Sequence, residues 1–148
     1  MREELYLITA IAGRAVAMPS HCVDSVVDLG PVVPVPAAPP HVRGLAALRS
    51  KVVTVIDAAI ALGEPDAALA VGRAVVVTVT GHVYAVLVDR LEDVAPFASS
   101  RLPDGVNLDA GWSKAARGVI DRGGEAVLII DPAALIAGTG KAAEMLAA

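Results

Sequence analysis

His21, Cys22 and Asp24 bring an imidazole, a thiol and a carboxylate within four residues of one another, the nearest this chain comes to a nucleophilic group. A cysteine attacks as the thiolate and needs a base at hydrogen-bond reach, yet neighbours in an extended segment point to opposite faces. Cys22 is therefore read as a small hydrophobe at a strand or turn end, with a hydrolase built around it as the weakest alternative. Metal chemistry requires ligands at short, regular spacing, and none of His21, His41 and His82 is paired in that way. They read as turn or surface histidines, so neither a metal nor a cofactor is expected. Gly118, Gly123 and Gly124 lack the strand, glycine loop and helix order that cradles phosphate, and Gly123-Gly124 reads as a hairpin turn. Asp57, Asp89, Asp109 and Asp131 are scattered, and Trp112 reads as a partly buried loop anchor. No enzyme is expected.

One cation resists such an assignment. Residues 42–62, VRGLAALRSKVVTVIDAAIAL, align without a gap to residues 116–136, ARGVIDRGGEAVLIIDPAALI, displaced by 74 positions. Both copies open on Arg-Gly and both carry Ile-Asp, at Ile56-Asp57 and Ile130-Asp131. Each reads as two strands around a turn, followed by a short helix. Asp57 and Asp131 are natural N-caps, and Pro132 sits at the first helical position, where its missing N–H costs nothing. At the turn, however, Arg49 stands where the second copy has Gly123.

The elements that must position these residues are mostly strands. The chain is 55% hydrophobic but only 3% aromatic, so its core is built from Val, Ala, Leu and Ile, with valine runs that favour strands. Residues 5–11 and 15–18 flank a Gly13 turn as residues 74–79 and 83–88 flank a Gly81 turn, two further hairpins. Arg73 and the Thr80-Gly81-His82 break argue against a membrane span over 67–88, and Glu3, Glu4 and Arg14 argue against a signal peptide over 5–18. Five prolines stiffen residues 31–40 into an extended connector. Residues 95–112 read as an irregular loop, Glu64-Pro65-Asp66 as the end of the first short helix, and residues 141–148 as a frayed helical turn.

A length of 148 residues fits one domain, residues 1–148, that is mainly β: two small barrels or sheets packed as one unit. A net charge of −4 without a basic cluster excludes a nucleic-acid footprint and a polybasic membrane patch. A single cysteine points to a reducing compartment, hence the cytoplasm.

Val42-Arg43-Gly44, Ala47-Leu48-Arg49-Ser50 and Val55-Ile56-Asp57 resemble the CheW family of chemotaxis coupling proteins, whose recurring text here is Asn-Leu-Arg-Gly before a strand ending in Val-Ile-Asp. The resemblance extends to Met18-Pro19, the Val23/Val26 pair, Pro39, Val86-Leu87-Val88-Asp89 and the closing unit from Gly118 to Leu135. It implies two five-stranded, SH3-like β-barrel subdomains with short helices around a shared hydrophobic centre. It also implies a non-enzymatic adaptor that joins the cytoplasmic tip of methyl-accepting chemoreceptors to the regulatory domain of the histidine kinase CheA. Such an adaptor reaches membrane-associated arrays through its partners, with no insertion of its own. Arg49 matches the coupling arginine of the motif, and the binding residues so implied are Arg49, Val23, Ser25, Val26, Leu48 and Ser50. Arg49 either contacts a partner or fixes loops between the subdomains. Ala47, Ser50 and Ser25 depart from the usual Asn, Gly and Glu, which points to an unusual receptor or a non-flagellar chemosensory pathway. A sensory β-module that binds a small molecule in the cleft between subdomains is the alternative from another class.

Overall fold

The valine runs form strands, and most of those strands are buried on both faces because three apolar clusters lie in layers. In this computed structural model residues 2–64 and 73–137 are described; the expected helix end at Pro65-Asp66, the start of the 67–88 run and the helical turn over 141–148 lie outside the described residues. The first sheet is a closed barrel ordered β1 (Glu3–Ile11), β2 (Arg14–Pro19), β10 (Glu125–Ile130), β9 (Ala116–Arg122) and β8 (Arg90–Ser100). The second is a five-stranded sheet ordered β3 (Ser25–Asp28), β6 (Arg73–Val79), β7 (His82–Leu87), β5 (Lys51–Asp57) and β4 (Val42–Leu48). Three short helices complete the chain: α1 (Ala58–Ala61), α2 (Ala110–Ala115) and α3 (Pro132–Ala137).

Neither half of the chain builds a sheet alone. The β1–β2 hairpin joins β8, β9 and β10, while the β6–β7 hairpin joins β3, β4 and β5. In each sheet the second strand of the borrowed hairpin runs parallel to the strand that precedes a helix, β2 with β10 and β7 with β5. Ile8, Ala17, Ile120 and Val127 fill the barrel, and Ala46, Val53, Val55 and Ala85 fill the curl of the second sheet. Between them Leu7, Ile11, Val16 and Met18 meet Val75, Val77, Tyr84 and Val86, so strands such as β6 and β7 carry apolar residues at consecutive positions.

The barrel closes through Ser99↔Ile120 and Ser100↔Val119 alone. The second sheet stays open between β3 and β4, where Val33 from the proline-rich connector exchanges both backbone hydrogen bonds with Leu45, at 2.8 and 2.9 Å.

Three sequence expectations differ from the structure. Residues 95–100 continue the strand β8, which tolerates Pro96 because there it is paired with β1 alone. Residues 110–115 form α2 rather than loop, and Gly111 lets this helix approach the Leu62 carbonyl where a Cβ would collide. His41 is buried rather than exposed: its Nε2 lies 2.9 Å from the Ile136 carbonyl oxygen. A carbonyl only accepts, so Nε2 carries the proton there and ties the start of β4 to α3.

Trp112, expected as a partly buried loop anchor, lies fully buried on α2, with its Nε1 donating to Glu64 at 3.0 Å and the Arg14 guanidinium stacked 4.7 Å from its ring centroid.

Candidate functional site

The aligned stretches 42–62 and 116–136 fold as β4–β5–α1 and β9–β10–α3, and the residues they share make the same contacts. Arg43 is the extra residue of a bulge, since Val42 pairs with Ile56 and Gly44 with Val55. Arg117 is likewise extra, between Ala116↔Ile130 and Gly118↔Ile129. A bulge re-aims the side chain it leaves unpaired. Here both guanidiniums turn to the aspartate ending the next strand, Arg43 to Asp57 at 3.5 Å and Arg117 to Asp131 at 3.4 Å. The same aspartates cap the helices, Asp57 accepting from Ile60 N–H at 3.2 Å and Asp131 from Ala133 N–H at 3.0 Å. Glycine follows each bulged arginine because the backbone passes close to a neighbour. A Cβ at Gly44 would meet the Val33 carbonyl, and one at Gly118 would lie 2.7 Å from the Ser100 carbonyl.

Arg49 has no such structural task. It occupies the β4–β5 turn with φ +49°, followed by Ser50 at +68°, and both are exposed. Two positive φ values make this a type I′ hairpin turn, which favours Asn-Gly or Gly-Gly; the second copy does carry glycines, Gly123 and Gly124, at +59° and +90°. Keeping Arg and Ser there strains the backbone by roughly 1–2 kcal/mol per residue. Its side chain makes no hydrogen bond or ion pair with the described residues. β5 runs seven residues from this turn to α1, roughly 20 Å at about 3.3 Å per residue.

The other candidates lie on or near the edges of the same sheet. Val23, which follows a 3-10 turn at Ser20–Cys22, and Val26 on β3 are half-buried against the central cluster. Leu48 is half-buried against the cluster inside the curl, and Ser25 is half-buried on the edge strand β3. The register aligns Thr54 with Tyr84 and Tyr84 with Val77, which sets the Arg49-Ser50 turn at the same end of the sheet as the Thr80-Gly81 turn. Asp24 marks that end on β3's side, accepting from the Thr78 hydroxyl at 2.6 Å.

Residues that the motif did not single out lie beyond the turn, along β4 and β5. Val52, 69% exposed, and Val33, 64% exposed, join Val35 and Leu45 as large apolar side chains open to solvent on the outer side of β4 and β5. Alternation along Lys51–Asp57 carries the signal, since Val53 and Val55 face the curl and Val52 and Thr54 face away. Beside them a groove of about 390 Å³ runs between residues 35–39 and Val42, Leu45 and Thr54.

Burial, and then the negative charge of Asp131, push the Cys22 thiol above its ordinary value, which lowers its thiolate fraction. Among the described residues no three His, Cys, Asp or Glu side chains gather to hold a metal ion. Among them also, no helix is long and apolar enough to cross a membrane.

No curated protein matches this sequence. The crystal structure of the scaffolding protein TtCheW from Thermoanaerobacter tengcongensis superposes with a TM-score of 0.75 at 20% identity, over 87% of this chain and 89% of that one. The fold is shared. The CheW-like domain matches residues 5–139, nearly the whole length, and the chain belongs to that family.

Proposed function

We propose that this chain is a non-enzymatic chemotaxis adaptor that couples the cytoplasmic tip of a chemoreceptor to the regulatory domain of a CheA-type histidine kinase. It works in the cytoplasm at receptor arrays, with residues 1–148 acting as one CheW-like unit. The observation that carries the reading is Arg49: the cations shared by the two hairpins are held in ion pairs, whereas this one stands in a strained, exposed turn at the motif's arginine. Side chains kept at a backbone cost are a mark of function. The partner surface consists of Arg49 and Ser50 with the β3 edge residues Val23, Ser25 and Val26, and Leu48 supports the turn from behind.

Exposed Val52 and Leu45 next to Arg49 and Lys51 give that surface an apolar centre with a cationic rim, the usual anatomy of a protein interface. The groove beside them offers one polar side chain, Thr54, which favours a protein over a polar small molecule as what this face recognises. Ser25 itself supplies no negative charge, so packing holds a receptor at that position, with the neighbouring Asp24 as the nearest carboxylate. Titration of the purified chain against a kinase regulatory domain and a receptor-tip fragment tests the proposal. Binding to both, with a ternary complex, is expected; absence of binding to either fragment at high micromolar concentration would overturn it.

A further inference from the structure

We propose that one water molecule is bound in the wall of the barrel, bridging the Thr9 hydroxyl on β1 and the backbone of Glu92 at the bulge in β8. The inference does not rest on the adaptor reading. Thr9 is fully buried, and its Oγ1 has no hydrogen-bond partner among the described residues. It stands between Leu7 and Ile11 on the face of β1 that meets the central cluster. A buried hydroxyl left without a partner is costly, and such groups are normally met by protein or by ordered water.

A second observation falls at the same step of the ladder. Ile8 pairs with Asp93 and Thr9 with Leu91, so Glu92 is the extra residue of a bulge and has no counterpart on β1. On its other side β9 pairs with β8 only at Ser99 and Ser100. The Glu92 carboxylate is engaged by Arg90 and Arg122, each at 2.9 Å, which leaves the backbone of Glu92 as the polar group beside Thr9.

The second sheet provides the comparison. Counted from the turns Ala12-Gly13 and Thr80-Gly81, Val77 holds the place of Thr9, opposite Tyr84 as Thr9 is opposite Val16. Val77 is buried, and the strand pairing that corresponds to β1 with β8, β6 with β3, runs from Ser25↔Val76 to Asp28↔Arg73 without a bulge. Hydroxyl and bulge thus occur together in one sheet, and neither occurs at the matching place in the other. A valine side chain meets the packing needs of such a position, so the hydroxyl of Thr9 serves a polar ligand. That ligand fits a gap one residue wide, accepts from or donates to a hydroxyl, and bonds backbone groups as well, which is the chemistry of a buried water.

A high-resolution crystal structure of the unaltered chain tests the site, with Thr9→Val and Thr9→Ser beside it. An ordered water is expected within about 2.7–3.2 Å of both Thr9 Oγ1 and a backbone atom of Glu92. Absence of a water bonded to both overturns the proposal whatever the variants do. Thr9→Ser keeps the hydroxyl and should keep the water. Thr9→Val removes one partner of the bridge and should melt below the parent by about 2–4 °C. A Thr9→Val variant that melts at or above the parent also overturns the proposal, because replacing an orphaned hydroxyl by a methyl group would have that effect.

Discussion

Arg49→Ala separates a contact from a strut. The turn is exposed and the Arg49 side chain touches no partner among the described residues, so truncation removes nothing from the core. Alanine at φ +49° carries the same backbone strain as arginine, and the stability change should stay within about 0.5 kcal/mol, the range of surface substitutions. That is a shift in Tm of about 2 °C or less for a chain of this size. Losing a charge-assisted contact to a partner, by contrast, costs about 1.5–3 kcal/mol, or roughly tenfold to hundredfold in affinity. Arg49→Lys should recover part of it, since an ammonium keeps the charge without the planar fork. The double variant Arg49→Gly/Ser50→Gly copies the glycine pair of the other hairpin. It relieves roughly 1–2 kcal/mol of strain per residue, against about 0.5–1 kcal/mol per residue for the greater freedom of unfolded glycine. It should melt as high as the parent or a few degrees above, yet bind as weakly as Arg49→Ala. Thermal melting beside titration against the kinase and receptor fragments measures both quantities. If Arg49→Ala melted 10 °C or more below the parent while binding normally in the cold, the reasoning from exposure and strain would fail.

Other substitutions test the shared framework. Gly44→Ala sets a Cβ against the Val33 carbonyl and breaks the pairing with Leu45, so a loss of about 2–4 kcal/mol and a Tm lower by at least about 5 °C are expected in a melt. Asp57→Ala should cost about 1–3 kcal/mol and Asp131→Ala about 1 kcal/mol or less in denaturant unfolding, because the Asp57 side chain is 6% exposed and that of Asp131 33%. Glu92 accepts from Arg122 and Arg90, each at 2.9 Å, and the Arg122 hydrogen bond first of all holds its carboxyl below the ordinary value. A lowered folded-state value means that its stabilising share is complete above the ordinary value near 4.5 and disappears as pH falls through the folded one. Glu92→Gln should therefore flatten the acid limb of the Tm-against-pH curve, and an unchanged limb would remove Glu92 from the account.

Much of this fold was legible because its cause is local. Consecutive apolar residues in β6 and β7 signalled strands covered on both faces, and Asp57 and Asp131 signalled helices, since a cap and the turn it caps are neighbours in sequence. The paired Arg-Gly and Ile-Asp text identified the two hairpins, and only the bulge that aims each arginine at its aspartate needed coordinates. What escaped depends on distant contacts. His41 finds its partner 95 residues away, and α2, six residues with a glycine inside, is too short for propensity to reveal. Strand β8 was hidden by Pro96, whose tolerance follows from which edge lies open. For the candidate site, the motif gave Arg49 its place, but the exposure of Val33 and Val52 follows from the open side of the second sheet, a difference between the two halves that their similar text conceals.

That difference also bears on how an adaptor of this shape would transmit a signal. The second sheet is the continuous run β3–β7 inserted between β2 and β8, and it is held against the barrel by the shared central cluster of Leu7, Ile11, Val16 and Met18 with Val75, Val77, Tyr84 and Val86. The crossings are bonded at matching points: Asp24 N–H to the Val76 carbonyl and Asp89 N–H to the Ala10 carbonyl, both 2.8 Å. The Asp89 carboxylate further accepts from Ala12 and Gly13, pinning the β1–β2 turn to the bend between β7 and β8. A body tied in this way has no evident hinge at its waist. Partners on its surface are then coupled through fixed spacing, not through relative motion of the two sheets. Amide exchange provides the check: Val75 and Val77 in the second sheet and Ile8 and Val16 in the first should exchange with one common opening energy, since cooperative units open together. Two distinct opening energies, one per sheet, would mean that the halves move apart, and fixed spacing would no longer explain coupling.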